Sequence, residues 1–307
     1  MKAVLCTRYG PPEVLQIGEV ARPFPKKKEI CIRIFATVVT ASDCIIRAGF
    51  RLSFPYRMIG RLAIGITAPR QPILGMVMAG QIESVGADVS SFKPGDRVFG
   101  MGGFHFGCYA ESVCWPEDAV LAVVPANLSY EEAAAIPYGG LLATHFLTKV
   151  GLRAGQRVLI YGASGAIGTS AVQLASHIGA EVTGVCSSTN LELVRSLGAT
   201  AVIDYTSENF VDRKDRYDII FDAVGQQKSR AAMLESARAL SPNGKRISVD
   251  SGMPRLRRQA LLVLRQLCES GVLRPVIDRR YPLDQIDMAH RYVDQGHKRG
   301  NVVVTLS

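Results

Sequence analysis

The pattern of apolar and polar positions divides the chain into a β-rich beginning, an alternating middle and a short β-rich end. Up to about residue 123, runs that alternate with period two, such as Glu29–Phe35 and Gly80–Val85, are separated by Pro and Gly turns. This pattern predicts a mostly antiparallel β region. Residues 275–307 return to it and end in an apolar run, 301–306. A terminal strand needs a sheet to join, so we expect it to pair with the first region.

The middle of the chain alternates short β-branched runs with amphipathic stretches. Such alternation is typical of an α/β, doubly wound parallel sheet. We therefore predict a discontinuous β domain, residues 1–123 plus 260–307, with a parallel-sheet domain, 124–259, inserted in it. The runs that predict its strands are 158–161, 180–185, 201–204, 218–222 and 245–249.

The first of these runs ends in three glycines spaced for a dinucleotide-binding turn. Gly162 permits a tight turn, Gly165 lets the backbone approach a pyrophosphate, and Gly168 lets the following helix pack on the strand. The helix N-terminus offers unpaired N–H groups and a partial positive charge to phosphates. The turn residues predicted to bind the cofactor are Gly162, Ala163, Ser164, Gly165, Ala166, Ile167 and Gly168.

The loop after the second strand indicates which dinucleotide is bound. NAD sites usually carry an Asp or Glu about 20 residues after the glycines, but residues 186–190 hold no acid. Hydroxyls and an amide can bond a 2′-phosphate without repelling it, which favours NADPH, with Arg195 as a possible charge partner. The other predicted cofactor contacts are Ser187, Ser188, Asn190, Tyr205, Asp222, Val224, Gly225 and Asn301.

Composition and charge exclude several other classes of protein. With 48% hydrophobic and 21% charged residues, the chain has the composition of a globular protein, and it lacks an apolar run of membrane-spanning length. The first residues lack a secretory signal, so we expect a cytoplasmic protein. Its net charge of +9 is spread along the chain without an RNA-binding motif, so no nucleic-acid partner is expected. The seven cysteines form no C-x-x-C pair, which argues against a zinc knuckle.

Several separated motifs resemble the medium-chain dehydrogenase/reductase superfamily, and within it the zinc-free quinone oxidoreductase, or zeta-crystallin-like, branch. The resemblance implies a GroES-like β domain, a Rossmann domain and a cofactor in the cleft between them, with a small carbonyl or quinone as substrate. The motifs that carry it, besides the glycine turn, are Lys2–Val4, Gly10–Leu15, Phe92–Phe99, Ala133–Pro137 and Pro282–His290.

The chain departs from the zinc-dependent members of that superfamily. The positions that match their catalytic zinc ligands are Thr40, the segment 75–77 and the neighbourhood of Tyr138, and none of these is a good zinc ligand. The cysteine-rich loop of their structural zinc is also missing. We therefore expect no metal and a zinc-independent hydride transfer.

Reduction of an enone or quinone creates an oxyanion that needs hydrogen-bond donors and a proton. The candidate catalytic residues are Thr40, Asp43, Tyr56 and Tyr138. Each has a structural alternative: Thr40 and Asp43 as a turn or helix cap, Tyr138 as packing beside Gly139. Solvent is an alternative proton donor.

A final departure concerns assembly and activity. After Val249 the chain enters a single amphipathic helix within a few residues, and the sixth strand that relatives use for pairing subunits is missing. We expect a shortened Rossmann sheet with 245–249 at its edge, and a monomer or an atypical dimer. The leading function is reduction of quinones or conjugated carbonyls. The alternatives are an alkenal or enone double-bond reductase, and a non-catalytic NADPH-binding sensor or scaffold.

Overall fold

The computed structural model describes residues 1–50 and 56–306, without the side chains of Tyr56 and of residues 226–228. The helices among the described residues are too short or too polar to cross a membrane. The strands are β1 (Lys2–Cys6), β2 (Leu15–Glu19), β3 (Glu29–Val39), β4 (Val77–Val85), β5 (Arg97–Met101), β6 (Ser112–Pro116), β7 (Val120–Val123), β8 (Arg157–Tyr161), β9 (Glu181–Cys186), β10 (Ala201–Asp204), β11 (Tyr217–Asp222), β12 (Leu240–Ser248), β13 (Ile277–Pro282) and β14 (Asn301–Thr305).

The helices follow the amphipathic stretches and the caps in the sequence. They are α1 (Ala41–Arg47), α2 (Tyr56–Ile64), α3 (Tyr130–Ala134), α4 (Pro137–Val150), α5 (Ala166–Ile178), α6 (Leu191–Ser196), α7 (Gln226–Glu235), α8 (Arg258–Glu269) and α9 (Ile286–Asp294).

The chain divides into two compact units, of which the first comprises residues 1–137 and 277–307. Its main sheet has the strand order β13-β14-β3-β4-β5-β7, and β6 pairs with the free stretch of β3. Strand β14 runs antiparallel to β3, from the pair Val302 and Val39 to the pair Thr305 and Ala36. The prediction that the terminal strand joins the N-terminal sheet is therefore confirmed, and this first unit is GroES-like and discontinuous in sequence.

The second unit, residues 138–276, holds a parallel sheet in the order β10-β9-β8-β11-β12. The strands extend from β8 outward to β10, and the chain then returns to build β11 and β12 on the other side. The strand order thus reverses between β8 and β11, where ligands bind in open α/β sheets. Strand β12 lies at the end of the described sheet order, as predicted. It begins at Leu240 rather than at Lys245, with an irregular register opposite Tyr217 and Ile219.

Both boundaries between the units lie later in the sequence than predicted: the first follows residue 137 rather than 123, and the second unit continues to residue 276 rather than 259. Helix α3 contacts β3 and β4 and so belongs to the first unit. Helix α8 belongs to the second: a Cβ placed on Gly140 of α4 would lie 2.8 Å from Leu264 Cδ1. The amphipathic pattern of these helices does not tell which sheet their apolar faces cover.

Candidate functional site

The turn after β8 is held by the neighbouring strand. The N–H groups of Gly162 and Ala163 both donate to the carbonyl of Val185, at 3.0 and 2.9 Å. Gly162 has a φ of +79°, a conformation that favours glycine, and a Cβ there would lie 2.2 Å from Val224 Cγ2. Both the backbone conformation and the close packing therefore require this glycine.

Gly168 is required for a different reason, the packing of α5 against the turn. A Cβ on Gly168 would lie 2.1 Å from the Gly162 carbonyl oxygen and 2.7 Å from Ala163 Cα. Backbone atoms on both sides of the turn leave no room for a methyl group. The close helix–strand contact expected from the sequence is thus present.

Gly165 is not required by the protein's own packing. Its φ is −78°, open to any residue, and a Cβ would make an ordinary contact, 3.5 Å, with the Gly162 carbonyl oxygen. Gly165 is also the N-cap of the 13-residue helix α5, and among described residues no side chain caps that helix. Its first N–H groups and its partial positive charge are therefore available to an anion. This cradle fits a pyrophosphate.

The loop after β9 contacts the turn through Asn190. This side chain is 5% exposed, and its amide nitrogen donates to Ser187 Oγ at 3.0 Å and to Ser164 Oγ at 3.4 Å. Within the described part of the chain, Asn190 Oδ1 has no hydrogen-bond partner. Ser188 is exposed. The structure thus brings together the predicted cofactor residues of the turn and of the acid-free loop.

Asp204 places a carboxylate beside this loop, which the sequence analysis missed. It ends β10, and its Oδ1 accepts from the N–H and the hydroxyl of Thr206, at 2.9 and 2.7 Å. These bonds and one from the Ser188 N–H lower the pKa of Asp204. The neighbouring Tyr205 is 47% exposed, with its ring 6.5 Å from that of Tyr161. A negative charge therefore lies beside the loop that was predicted to bind the 2′-phosphate.

Asp222, at the end of β11, uses its side chain to build the next loop. Its Oδ1 accepts from the N–H groups of Val224 and Gly225, both at 3.1 Å, and its Oδ2 accepts from the Ser229 and Ser248 hydroxyls at 2.7 and 2.8 Å. Both carboxylate oxygens are occupied in this way. The loop therefore presents Val224, which is 37% exposed, beside Gly162.

In the first unit, Thr40 and Asp43 form the N-terminal cap of α1. The Asp43 N–H donates to Thr40 Oγ1 at 3.1 Å, while Asp43 Oδ2 accepts from the Thr40 N–H at 2.9 Å and from its hydroxyl at 2.6 Å. Both side chains are buried. The structural alternative named for these two candidates is therefore realised, with the Thr40 hydroxyl and Asp43 Oδ2 bonded to each other.

A largely buried polar cluster lies next to this cap, and no local sequence pattern indicates it. Arg47 donates to Asp294 Oδ2 at 2.7 Å, and Cys44 Sγ lies 3.4 Å from His290 Nδ1. Burial raises the pKa of Asp43 to about 6, and burial with the nearby Arg47 charge lowers the pKa of His290 to about 3. These contacts join α1 to α9.

Three candidates remain, Tyr138, Asn301 and Tyr56. Tyr138 is buried in the first turn of α4, where a Cβ on the next residue, Gly139, would lie 2.2 Å from the Ala166 carbonyl oxygen. Asn301 is buried at the start of β14, in the first unit. The Tyr56 side chain lies outside the described residues.

The positions that match zinc ligands do not fit a metal. Thr40 caps α1, Met76 is a buried thioether, and Tyr138 offers a phenol. Zinc prefers thiolate, imidazole and carboxylate ligands. Throughout residues 1–50 and 56–306, no group of three or more His, Cys, Asp or Glu side chains is arranged to hold a metal ion.

Comparison with known families gives three matches along the chain. The family described as "Alcohol dehydrogenase GroES-like domain" matches residues 26–126. Two families described as "Zinc-binding dehydrogenase" match residues 166–273 and 249–304.

The chain is also similar to characterised proteins over nearly its whole length. It is 34% identical to the 2-methylene-furan-3-one reductase of Solanum lycopersicum, over 99% of this chain and 79% of that relative. It is 30% identical to the quinone oxidoreductase of Sus scrofa, over 98% of this chain and 95% of that protein. Among solved structures, the quinone oxidoreductase from Coxiella burnetii superposes with a TM-score of 0.85 at 27% identity, over 100% of this chain and 99% of that one.

Proposed function

Because the chain belongs to the medium-chain dehydrogenase/reductase superfamily, in its quinone oxidoreductase-like branch, we propose that it is an NADPH-dependent, zinc-independent reductase of quinones or other conjugated carbonyls. Its place among these oxidoreductases makes it an enzyme with a nicotinamide cofactor. The observation that carries the proposal is the cradle at Gly165. There the protein's own packing tolerates a side chain, yet the residue is glycine at an uncapped helix N-terminus.

The choice of NADPH over NADH rests on the loop after β9. Ser187, Ser188 and Asn190 offer donors without a charge that would repel a 2′-phosphate. Asn190 is already fixed against Ser164 of the turn. The Asp204 carboxylate beside Ser188 opposes this preference, and we expect it to reduce the discrimination without reversing it.

The bound cofactor supplies the hydride, and the chain supplies position and charge stabilisation. The turn and the α5 N-terminus bind the phosphates, and Val224 limits the space beside Gly162. Thr40 and Asp43 are bonded to each other, so we assign them a positioning role through α1. Tyr138 and Tyr56 are the phenols proposed to stabilise the oxyanion, and solvent is the alternative proton donor.

Reduction of an alkenal or enone double bond is the second candidate. The observation that favours it is the identity to 2-methylene-furan-3-one reductase, which exceeds that to the quinone oxidoreductase of Sus scrofa. Both reactions deliver hydride to a carbon conjugated with a carbonyl, so the same cofactor geometry serves either.

A substrate panel tests the proposal and separates the candidates. The protein is mixed with NADPH and, in turn, a benzoquinone, a 2-alkenal and a saturated aldehyde, and products are identified by mass. We expect NADPH oxidation with the quinone or the alkenal but not with the saturated aldehyde. Because the proposed reaction is zinc-independent, we expect the same activity after the protein has been dialysed against a chelator. Tight NADPH binding without turnover of any substrate would instead support the non-catalytic sensor or scaffold.

Matched variants extend this test to the side chains. Tyr138→Phe removes the phenol hydroxyl with little change in volume. A loss of kcat on the order of a hundredfold with unchanged NADPH affinity would support Tyr138 as a catalytic residue. Unchanged kcat would favour Tyr56 or solvent.

The cytoplasmic location and the monomer or atypical dimer remain predictions. Light scattering measures the oligomeric state.

A further inference from the structure

Two cysteines lie opposite each other on neighbouring strands of the first unit. Strands β3 and β6 are antiparallel, and their register pairs Cys31 with Cys114. Cys31 and Cys114 are 83 positions apart in the sequence, so no local cysteine motif such as C-x-x-C indicates this pair. The fold alone brings the two thiols together.

The hydrogen bonds of the same ladder define the type of this pair. Beyond its two ends, the Glu117 N–H donates to the Lys28 carbonyl at 3.0 Å, and the Ile34 N–H donates to the Glu111 carbonyl at 2.9 Å. Hydrogen-bonded and non-hydrogen-bonded pairs alternate along an antiparallel ladder. The pair Cys31 and Cys114 lies three positions from each of these hydrogen-bonded pairs, Lys28 with Glu117 and Ile34 with Glu111. Because three is an odd number, Cys31 and Cys114 form a non-hydrogen-bonded pair. Its Cα atoms are then about 4.5 Å apart, within the range of about 4.4–6.8 Å that a disulfide spans.

The two thiols face away from the core of their sheet. The residues that flank each cysteine in its strand belong to the buried core cluster. They are Ile30 and Ile32 for Cys31, and Val113 and Trp115 for Cys114. Side chains alternate along a strand, so the cysteines project from the opposite face. Cys31 is buried there, whereas Cys114 is partly exposed.

The surroundings make one thiol of the pair more acidic than the other. The Cys114 thiol hydrogen-bonds Cys31, which lowers the pKa of Cys31 and raises that of Cys114. Arg22 favours and Glu83 opposes the Cys31 thiolate, and these two residues form an ion pair at 2.7 Å. A thiolate and a thiol in contact are the arrangement of a reactive dithiol.

The other cysteines have a different environment. All five are buried, as Cys31 is, but burial raises the pKa of every one of them, whereas the contact with Cys114 lowers the pKa of Cys31. Buried thiols with raised pKa values react slowly with oxidants. They are Cys6, Cys44, Cys108, Cys186 and Cys268.

We propose that Cys31 and Cys114 form a redox-active dithiol that a hydroperoxide converts to a reversible cross-strand disulfide. The Cys31 thiolate attacks one peroxide oxygen and the O–O bond breaks, which leaves a sulfenic acid and releases hydroxide that becomes water. The Cys114 sulfur then attacks the Cys31 sulfur, the S–O bond breaks, and the hydroxide leaves as water with the Cys114 proton. Two thiols and one hydrogen peroxide thus yield one disulfide and two waters.

Peptide mapping of the intact protein tests this proposal. Reduced protein is treated with equimolar hydrogen peroxide, alkylated, and digested with trypsin and a Glu-specific protease, which release residues 30–33 and 112–117 separately. We expect these peptides to be cross-linked, with a mass two hydrogens below their sum, and separated by dithiothreitol. The number of free thiols titrated under denaturing conditions should fall by two from the seven of the reduced protein. Alkylation of both cysteines after peroxide treatment would overturn the proposal.

Single variants test the order of the two steps. In Cys114→Ser the sulfenic acid at Cys31 has no resolving thiol, so we expect it to be trapped by a 1,3-dione reagent. Cys31→Ser should yield neither the cross-link nor a comparable adduct at Cys114. Cys268→Ala removes a buried cysteine from the other unit and should leave the cross-link intact. A cross-link to any other cysteine in the unmodified chain would also contradict the proposal.

Discussion

The glycine turn of the second unit and the start of α1 in the first unit both carry candidate functional residues, and they differ in what their polar groups do. At α1, Thr40 and Asp43 bond each other and the helix N-terminus is capped from within. At α5, the N-cap is Gly165, and among described residues no side chain makes a capping hydrogen bond to that helix end. Polar groups at α1 therefore contribute to stability, whereas those at α5 are available to a ligand.

This difference is informative because the two segments look equally suggestive in the sequence. A Thr and an Asp three residues apart match a capping box and also match a proton-transfer pair. The glycine spacing has fewer alternative explanations. At Gly162 and Gly168 a Cβ would clash with the protein, whereas at Gly165 it would not, so packing explains only two of the three glycines. Substitutions in the two regions should thus affect different measurements.

The largest effect is expected from Gly168→Ala. The added methyl group would overlap the Gly162 carbonyl and Ala163 Cα, so the turn must shift, and the unfolding free energy should fall by about 3 kcal/mol. Urea denaturation measures this loss. A variant as stable as the unmodified protein would show that α5 does not pack on the turn in this way.

Asp43 and His290 should make the free energy of unfolding depend on pH in opposite directions. Asp43 has a pKa of about 6 against an ordinary 3.8, so the folded state holds its proton more tightly, and the stability this adds at low pH is lost as pH rises through 6. His290 has a pKa of about 3 against 6.5, so its contribution is present above 6.5 and lost as pH falls toward 3.

Between pH 4 and 6 the two contributions oppose each other, each by about 1.4 kcal/mol per pH unit. Asp43→Asn should therefore make the protein lose stability more steeply on acidification across this range, and His290→Gln should make it gain stability. Denaturant midpoints at pH 4, 5 and 6 check both signs. Profiles for the two variants that run parallel to that of the unmodified protein would refute the assignment.

Gly165→Ala should affect binding and spare the fold. The methyl group meets an ordinary contact inside the protein but lies where the pyrophosphate is proposed to approach. We expect the Kd for NADPH to rise about tenfold, equivalent to about 1.4 kcal/mol. The unfolding free energy should change by less than about 1 kcal/mol, the scale of an N-cap substitution. Unchanged affinity in a stable variant would argue against a phosphate at this position.

The smallest effect is expected from Asp204→Asn. Removing the partly exposed carboxylate beside Ser188 should raise the preference for NADPH over NADH by roughly threefold, in line with other charge interactions near the surface. The ratio of the two Kd values measures this preference. Glu181→Gln, at the opposite end of β9, is the matched control and should leave the ratio unchanged. Equal ratios in both variants would mean that Asp204 does not face the bound cofactor.

Much of the fold was predictable because local patterns determine it. The strands of the parallel sheet and the pairing of β14 with β3 follow from β-branched runs that each need a partner. The early start of β12 was missed because Pro242 and Gly244 are residue types that weaken a strand, and the structure accommodates them through an irregular register beside β11.

The candidate site was predictable only where adjacent residues form it. The glycine turn and the loop after β9 are each continuous in sequence, and Asn190 joins them. The contacts of Arg47 with Asp294 and of Cys44 with His290 cross almost the whole length of the chain. Asp204 likewise reaches Ser188 only because β10 and β9 are neighbours. No local pattern encodes such contacts.

Hydrogen–deuterium exchange with and without saturating NADPH tests most directly whether the uncapped N-terminus of α5 binds the cofactor. We predict that exchange of the amides in residues 166–168 slows at least about tenfold, since phosphate oxygens would accept their hydrogen bonds. Exchange in α8 should not change. If NADPH fluorescence showed saturation while residues 166–168 exchanged at the same rate as in the free protein, the turn would not be the phosphate site.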